Sequence, residues 1–340
     1  LSNVMAISLS EQDISTLTTR TEGWIAGLQM AALSLQRRED VQSFIEAFSG
    51  SHEFVADFLT DEVLAQQPEN YQKFLLQTSI LEHLSSSLCE AVTSQPESAK
   101  ILSQLNKANL FVVPLDDQRQ WYRYHHLFAD LLRQRLNNKS PELISLLHRR
   151  ASQWYEENGM LGVAIDHALS AGDSSRAAIL VEQVADQMMM RSEIMTLLSW
   201  MEQLPPSEMQ ARPLLILYQA GAQLISGYPL NNVRRLLDEI TNEDQKAPSG
   251  ELSTIQALIA SFQGESKLSR VYSHQALEDL PEDNQFLRSL AAQNLGFAFV
   301  AIGDLDQALK ALHEAVKMAK QAGSPLISAI SLSHIAEIQI

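Results

Sequence analysis

A single cysteine, Cys89, stands in 340 residues. That excludes an internal disulfide framework and any cysteine-rich zinc module, and it fits a reducing compartment. Positive charge is equally scarce. Lys and Arg number 25 against 41 Asp and Glu, for a formal charge of −16. So acidic a chain is poorly suited to holding nucleic acid through its overall field, because phosphate contacts need concentrated cations. No apolar run is long enough to span a bilayer, and no basic-then-apolar leader opens the sequence. The phosphate-cradling G-x-x-x-x-G-K-[ST] and G-x-G-x-x-G loops are missing, as are H-E-x-x-H and G-x-S-x-G. What remains is 45% hydrophobic, enough to bury a large core, and the length of 340 residues suggests two or three domains. The chain starts on Leu1 and stops inside an amphipathic stretch at Ile340, so it reads as a piece of a longer cytosolic protein.

The apolar residues recur mainly at helical spacing. Trp24, Leu28, Ala31, Ala32 and Leu35 share one face and predict a helix over 21–35. Ser51 suits the cap of a second helix bearing Phe54, Val55, Phe58, Leu59 and Val63. Shorter helices are expected at 69–77, 86–92 and 98–109. The one clear β signal is 110–115, a turn at Asp116-Asp117, and a return over 119–124 through Trp121, Tyr122 and Tyr124. Short helices, a hairpin and a further helix at 127–136 follow the order of a winged helix. From Pro141 onward the pattern is helical, and Gly227, Gly264 and Gly303 lie 37 and 39 residues apart. A small residue sits seven places before each: Ala220, Ala257 and Gly296. Stacked helical hairpins require this, since two backbones approach closely only where side chains are small. Residues 292–315 follow the tetratricopeptide pattern best, and the expected fold is predominantly α: a winged helix with one hairpin, then a right-handed tetratricopeptide-like solenoid.

Candidate chemistry is thin. The acid pairs Asp61-Glu62, Asp116-Asp117 and Glu156-Glu157 are sequence neighbours, which on a helix do not face a common point. Cys89 with His83 is weighed as a nucleophile and base against a small buried thiol, and burial is the better reading. His125-His126 falls between strand and helix without further ligands at metal spacing, so one ring is expected to pack or cap beneath the hairpin and the other to meet solvent. Around them residues 119–150 carry seven Lys and Arg against two acids, an island fit to face nucleic acid, a phosphate or an acidic partner. The helix at 98–109, in the recognition position of a winged helix, offers only Lys100 and Lys107 as cations, little for a groove reader.

Several stretches resemble a known family. Thr21-Glu22-Gly23-Trp24-Ile25-Ala26-Gly27-Leu28-Gln29-Met30-Ala31-Ala32-Leu33-Ser34-Leu35, the Phe48–His52 stretch, Asn109–Asp116, Trp121–Leu132, Leu147–Tyr155 and Asp166-His167-Ala168 are similar to the large ATP-dependent LuxR-family activators of the MalT type. These are STAND-class signal-transduction ATPases. The resemblance implies a parent with an N-terminal P-loop NTPase, a winged-helix arm, a helical-repeat sensor and a C-terminal helix-turn-helix. On it, residues 1–50 are the end of the NTPase module, 51–140 the arm, 141–205 a helical linker with first repeats, and 206–340 a truncated sensor. ATP or ADP would belong to the parent, and the fragment would be no enzyme and hold no cofactor of its own. In related NTPases a Gly-Leu-Pro motif lies against adenine, and Gly27-Leu28-Gln29 takes its place with Gln29 for the proline. The relatives' Met-His-Asp-Leu, whose histidine meets the ADP β-phosphate, corresponds to Tyr124-His125-His126-Leu127. Implied partners are an inducer on the solenoid, the protein's own NTPase domain and further copies of itself. DNA would be met only through a domain outside this chain, and no membrane is involved. The alternative is a helical-repeat scaffold that binds a partner protein.

Overall fold

A computed structural model describes residues 10–25, 28, 31, 45, 53–108, 110–241 and 249–340. The chain divides into two compact units, 1–172 and 173–340. Among the described residues, α-helices account for nearly all regular structure, and the two strands form one hairpin. The predicted Ser51 cap, Gln29, and Ala32 and Leu35 of the first apolar face lie outside the described residues.

The first unit opens with α1 (Glu11–Thr21), a helix the apolar pattern did not predict. Its signal is the capping box: Ser10 Oγ accepts from the Asp13 N–H, and the Asp13 carboxylate accepts from the Ser10 N–H. The predicted 21–35 helix begins later than its periodicity suggested. Glu22 and Gly23 take left-handed φ of 49° and 74°, ending α1 and turning the chain before helical residues resume at Ile25. A residue whose N–H donates to the last carbonyls of one helix cannot start the next in the same register.

Next come α2 (Glu53–Phe58), running into a π turn at Leu59–Leu64, then α3 (Glu69–Thr78), α4 (Ser86–Thr93) and α5 (Ser98–Lys107). Strands β1 (Val112–Pro114) and β2 (Tyr122–Tyr124) pair antiparallel, Val112 opposite Tyr124 and Pro114 opposite Tyr122. Leu84 adds a single bridge to Tyr122. The strands are shorter than the predicted 110–115 and 119–124, because Phe111 and Arg119 adopt left-handed φ of 56° and leave the ladder at both ends. Three helices, α6 (His126–Lys139), α7 (Pro141–Glu157) and α8 (Leu161–Ser170), complete the unit. Its core is Phe74, Leu88, Ile101, Leu105 and Phe128, all fully buried. Tyr124 Oη reaches Thr78 Oγ1 at 2.6 Å beneath the hairpin.

The second unit is helical throughout: α9 (Ser174–Met190), α10 (Ile194–Glu202), α11 (Pro206–Gln210), α12 (Pro213–Ile225), α13 (Leu230–Thr241), α14 (Ser249–Phe262), α15 (Ser266–Asp279), α16 (Gln285–Ala301), α17 (Leu305–Ala322) and α18 (Pro325–Gln339). Gly227, Gly264 and Gly303 each turn a hairpin, with φ of 78°, 74° and 82°. The small residues seven places earlier sit where each pair closes: Ala220 and Ala257 are fully buried. At Gly296 the approach is tightest. A Cβ there would lie 2.6 Å from Leu312 Cγ and 2.7 Å from its Cδ2.

Gly296→Ala should therefore destabilise the chain by about 1–3 kcal/mol, the range for forcing extra atoms into a packed core. Urea unfolding measures it. Leu312→Ala leaves a cavity by itself, so the double mutant should lose less than the two single losses combined. Strict additivity would show that the two sites do not clash.

Candidate functional site

The end of α1 is fastened to the hairpin and α6. Glu22, placed by its left-handed turn, receives a two-pronged ion pair from Arg123 on β2, with Nη1 to Oε1 at 2.8 Å and Nη2 to Oε2 at 2.9 Å. The His126 backbone N–H also donates to Glu22 Oε1 (3.3 Å), and its ring Nε2 lies 3.1 Å away. Burial alone would raise the Glu22 carboxyl, but the hydrogen bonds from Arg123 and the His126 N–H, with the positive groups nearby, hold it below its ordinary value.

His125 supplies the second fastening. Its Nε2 donates to the Thr21 carbonyl oxygen at 2.9 Å, and its backbone N–H donates to Phe111 oxygen at 2.8 Å. Trp24 and Phe111 meet the imidazole edge-on, with ring centres 6.2 and 5.6 Å away. Because a carbonyl can only accept, the Nε2 tautomer is fixed and Nδ1 is left with the lone pair. That Nδ1 is buried and has no partner among the described residues. Burial lowers the ring's pKa, only partly offset by Thr21 and Glu22, so His125 is neutral near pH 7.

The predicted site residues thus separate. His125 is buried and His126 is exposed, while Gln29 and Gly27 lie outside the described residues. Cys89 is fully buried and its thiol is pushed far up by burial, whereas His83 is exposed, so no dyad forms. Four arginines of the basic island serve separate acceptors within the protein. Arg123 pairs with Glu22, Arg133 Nε donates to Ser79 oxygen (2.9 Å), Arg135 Nη2 to Thr60 Oγ1 (2.8 Å), and Arg150 Nη1 to Val92 oxygen (3.0 Å). In α5, Ile101, Leu102 and Leu105 are buried, and Lys100 lies 3.5 Å from Glu97. Sequence reading missed Glu22 altogether. Its partner is 101 residues away, and nothing local marks the pair.

A second cluster joins α7 to α8. His148 Nδ1 and His167 Nδ1 are 2.8 Å apart, and Tyr155 stacks on the His167 ring at 5.3 Å. With Glu82, Trp121 and Asp166 they line a cavity of about 480 Å³. No group of three metal-binding side chains converges among the described residues. Burial, then the neighbouring His148, holds His167 down to about 4, and burial lowers His148.

Two outcomes follow. Glu22→Gln should cost about 1–3 kcal/mol in denaturant unfolding, since it leaves Arg123 half-buried without its charge partner. An unchanged midpoint would show the pair to be idle. For the histidines, the unfolded chain takes up protons first as pH falls. Their contribution is intact above about pH 6.5 and declines between 6.5 and about 4. His167→Phe, which keeps a ring against Tyr155, should flatten that limb in melting curves taken across pH 4–7.

The MalT winged helix domain matches residues 60–144, and the MalT-like TPR region matches residues 250–340. The chain is 34% identical over 271 residues to the serine/threonine-protein kinase PknK of Mycobacterium tuberculosis, covering 76% of this chain and 24% of the kinase. It is 30% identical over 321 residues to the HTH-type transcriptional regulator MalT of Klebsiella pneumoniae, covering 92% of this chain and 35% of the regulator. The chain therefore spans only about a quarter to a third of these relatives' length. The crystal structure of a signal transduction ATPase with numerous domains, bearing a tetratricopeptide repeat sensor, from Pyrococcus horikoshii matches with a TM-score of 0.54 at 14% identity. That match covers 98% of this chain and 54% of the other, and it shows a shared fold. The chain thus carries a winged helix domain of the MalT type and a MalT-like tetratricopeptide region, each matched by its own family model.

Proposed function

We propose that this chain is the regulatory arm and sensor of an ATP-dependent bacterial transcription activator in the cytoplasm. The observation that carries the reading is the double fastening of α1 to the winged helix, Glu22 to Arg123 and His125 to Thr21. On this reading residues 1–50 end the NTPase module, 51–140 form the arm, 141–205 a linker and 206–340 the sensor. The arm holds the NTPase end in a resting arrangement. An inducer on the solenoid favours the released one, which allows nucleotide exchange and self-assembly, a shift between two populations. The piece itself is regulatory rather than catalytic, and DNA is met by a separate domain of the parent.

The orphaned Nδ1 of His125 bears on the nucleotide. A neutral ring offers a phosphate only a lone pair there, so contact with ADP requires the imidazolium, whose Nδ1–H becomes the donor. A bound diphosphate supplies the negative charge that favours this form. His125 is the residue of this chain proposed to meet it, and Gln29 is proposed to lie near the base.

In the full-length activator, His125→Ala should lower the inducer needed for transcription and speed ADP release. A charge-assisted bond is worth about 1.5–3 kcal/mol, a ten- to hundredfold shift between states. Reporter assays across inducer concentrations, with ADP retention on the purified protein, provide the check. A folded mutant with normal ADP retention and unchanged inducer dependence would leave His125 a packing residue.

A further inference from the structure

In the second unit α9, α10, α12, α14, α16 and α18 line a cavity of about 360 Å³. Ile225, Phe262, Leu290, Phe297 and Ile327 are among its walls, and no charged side chain lines it among the described residues. That is unusual in a chain of net charge −16. Phe262 and Leu326 at this cavity are 62% and 47% exposed. Large apolar side chains gathered around one opening mark a binding surface rather than chance exposure.

Two amides lie in the wall. Gln293 Nε2 donates to the Ile327 carbonyl oxygen (3.2 Å) and to Ser331 Oγ (2.9 Å) on α18. Asn294 Nδ2 donates to the Leu290 carbonyl oxygen (2.9 Å). Because backbone carbonyls can only accept, both amide orientations are fixed and the side-chain oxygens are the remaining acceptors. Both side chains line the cavity although Gln293 and Asn294 are only 5% and 2% exposed.

We propose that this cavity is a small-molecule site for an uncharged, mainly apolar ligand bearing a hydroxyl or amide N–H, which the Gln293 and Asn294 oxygens receive. The inference rests on reading the solenoid as a sensor, and it names the ligand's class. The size lies at the small-ligand end of the usual range of about 300–1,000 Å³. An anion or cation would be buried without a counter-charge, and a sugar would leave most of its hydroxyls facing hydrocarbon. Gln293 also ties α16 to α18, so a ligand bonded to it acts directly on the packing between successive repeats.

The test uses the 340-residue chain, the neutral dye N-phenyl-1-naphthylamine, and its displacement by straight-chain primary alcohols. One saturable dye site is expected. Displacement should tighten about fourfold per added methylene until the cavity is full, the increment that burial of each CH₂ predicts. Ser261→Phe, which fills the cavity from its wall, should weaken octanol at least tenfold. If that variant melts early, Phe262→Ala at the exposed rim should still weaken it several-fold. Unsaturable dye binding, octanol affinity unchanged in both variants, or displacement by a short neutral oligosaccharide as effective as octanol would each overturn the proposal. A full-length reporter that ignores every ligand, beside intact displacement, would refute the sensor reading and leave the site standing.

Discussion

Every α-helix ends with carbonyl oxygens that have no partner in the helix, and a protein made of short helices has many such ends to satisfy. Here side chains from elsewhere in the sequence repeatedly do so. His125 donates to Thr21 at the end of α1, Arg133 to Ser79 after α3, and Arg150 to Val92 in the last turn of α4. Ser145 Oγ reaches the Ala171 carbonyl just past α8, and Arg288 donates to both Leu277 and Leu280 at the end of α15. Each bond joins two helices while meeting a need of only one. The cationic donors bring the stronger, charge-assisted bonds.

This constraint accounts for four arginines of the basic stretch at 119–150, Arg123, Arg133, Arg135 and Arg150, which already serve acceptors within the protein. A guanidinium has five N–H donors and a helix end offers only acceptors, so arginine suits a phosphate and a helix end alike. Sequence shows the charge but not the carbonyl that receives it. The same ambiguity covers His125, whose ring satisfies Thr21 through one nitrogen and leaves the other buried without a partner among the described residues. A group needed only for packing is usually satisfied at both ends. The unmatched Nδ1 is what distinguishes this histidine from His167, whose Nδ1 faces His148.

Legibility in the sequence tracked how local each cause was. Gly227, Gly264 and Gly303 marked the repeats because each turn demands a left-handed φ that glycine adopts without strain. The hairpin was visible in Val112, Val113 and the aromatic return strand, whose side chains favour extended backbone. Its ends were not, since Phe111 and Arg119 leave the ladder through conformations their types rarely take. Helix α1 was missed for want of an apolar stripe, although its Ser10 and Asp13 cap was there to find. The Glu22 to Arg123 pair and the Gln293 bridge were out of reach, since both depend on residues brought together only by folding.

The winged helix is therefore better described by what it grips than by the DNA-binding role its shape suggests. In α5, the helix in the recognition position, the residues that would set an angle to a groove are the buried Ile101, Leu102 and Leu105. Its outward cations are few, and Lys100 is already beside Glu97. The hairpin and the start of α6 carry the better-built contacts. There Arg123, His125 and the His126 backbone N–H all converge on the last turn of α1 and the residue after it. A helix C-terminus concentrates partial negative charge, and Glu22 adds a full one at the same point. The arm meets it with a guanidinium, an imidazole N–H and a backbone N–H. The Arg123 and Glu22 side chains stay 28% and 19% exposed, so water already screens part of this attraction and the joint depends on several bonds together. A joint held in that way is suited to release as a unit.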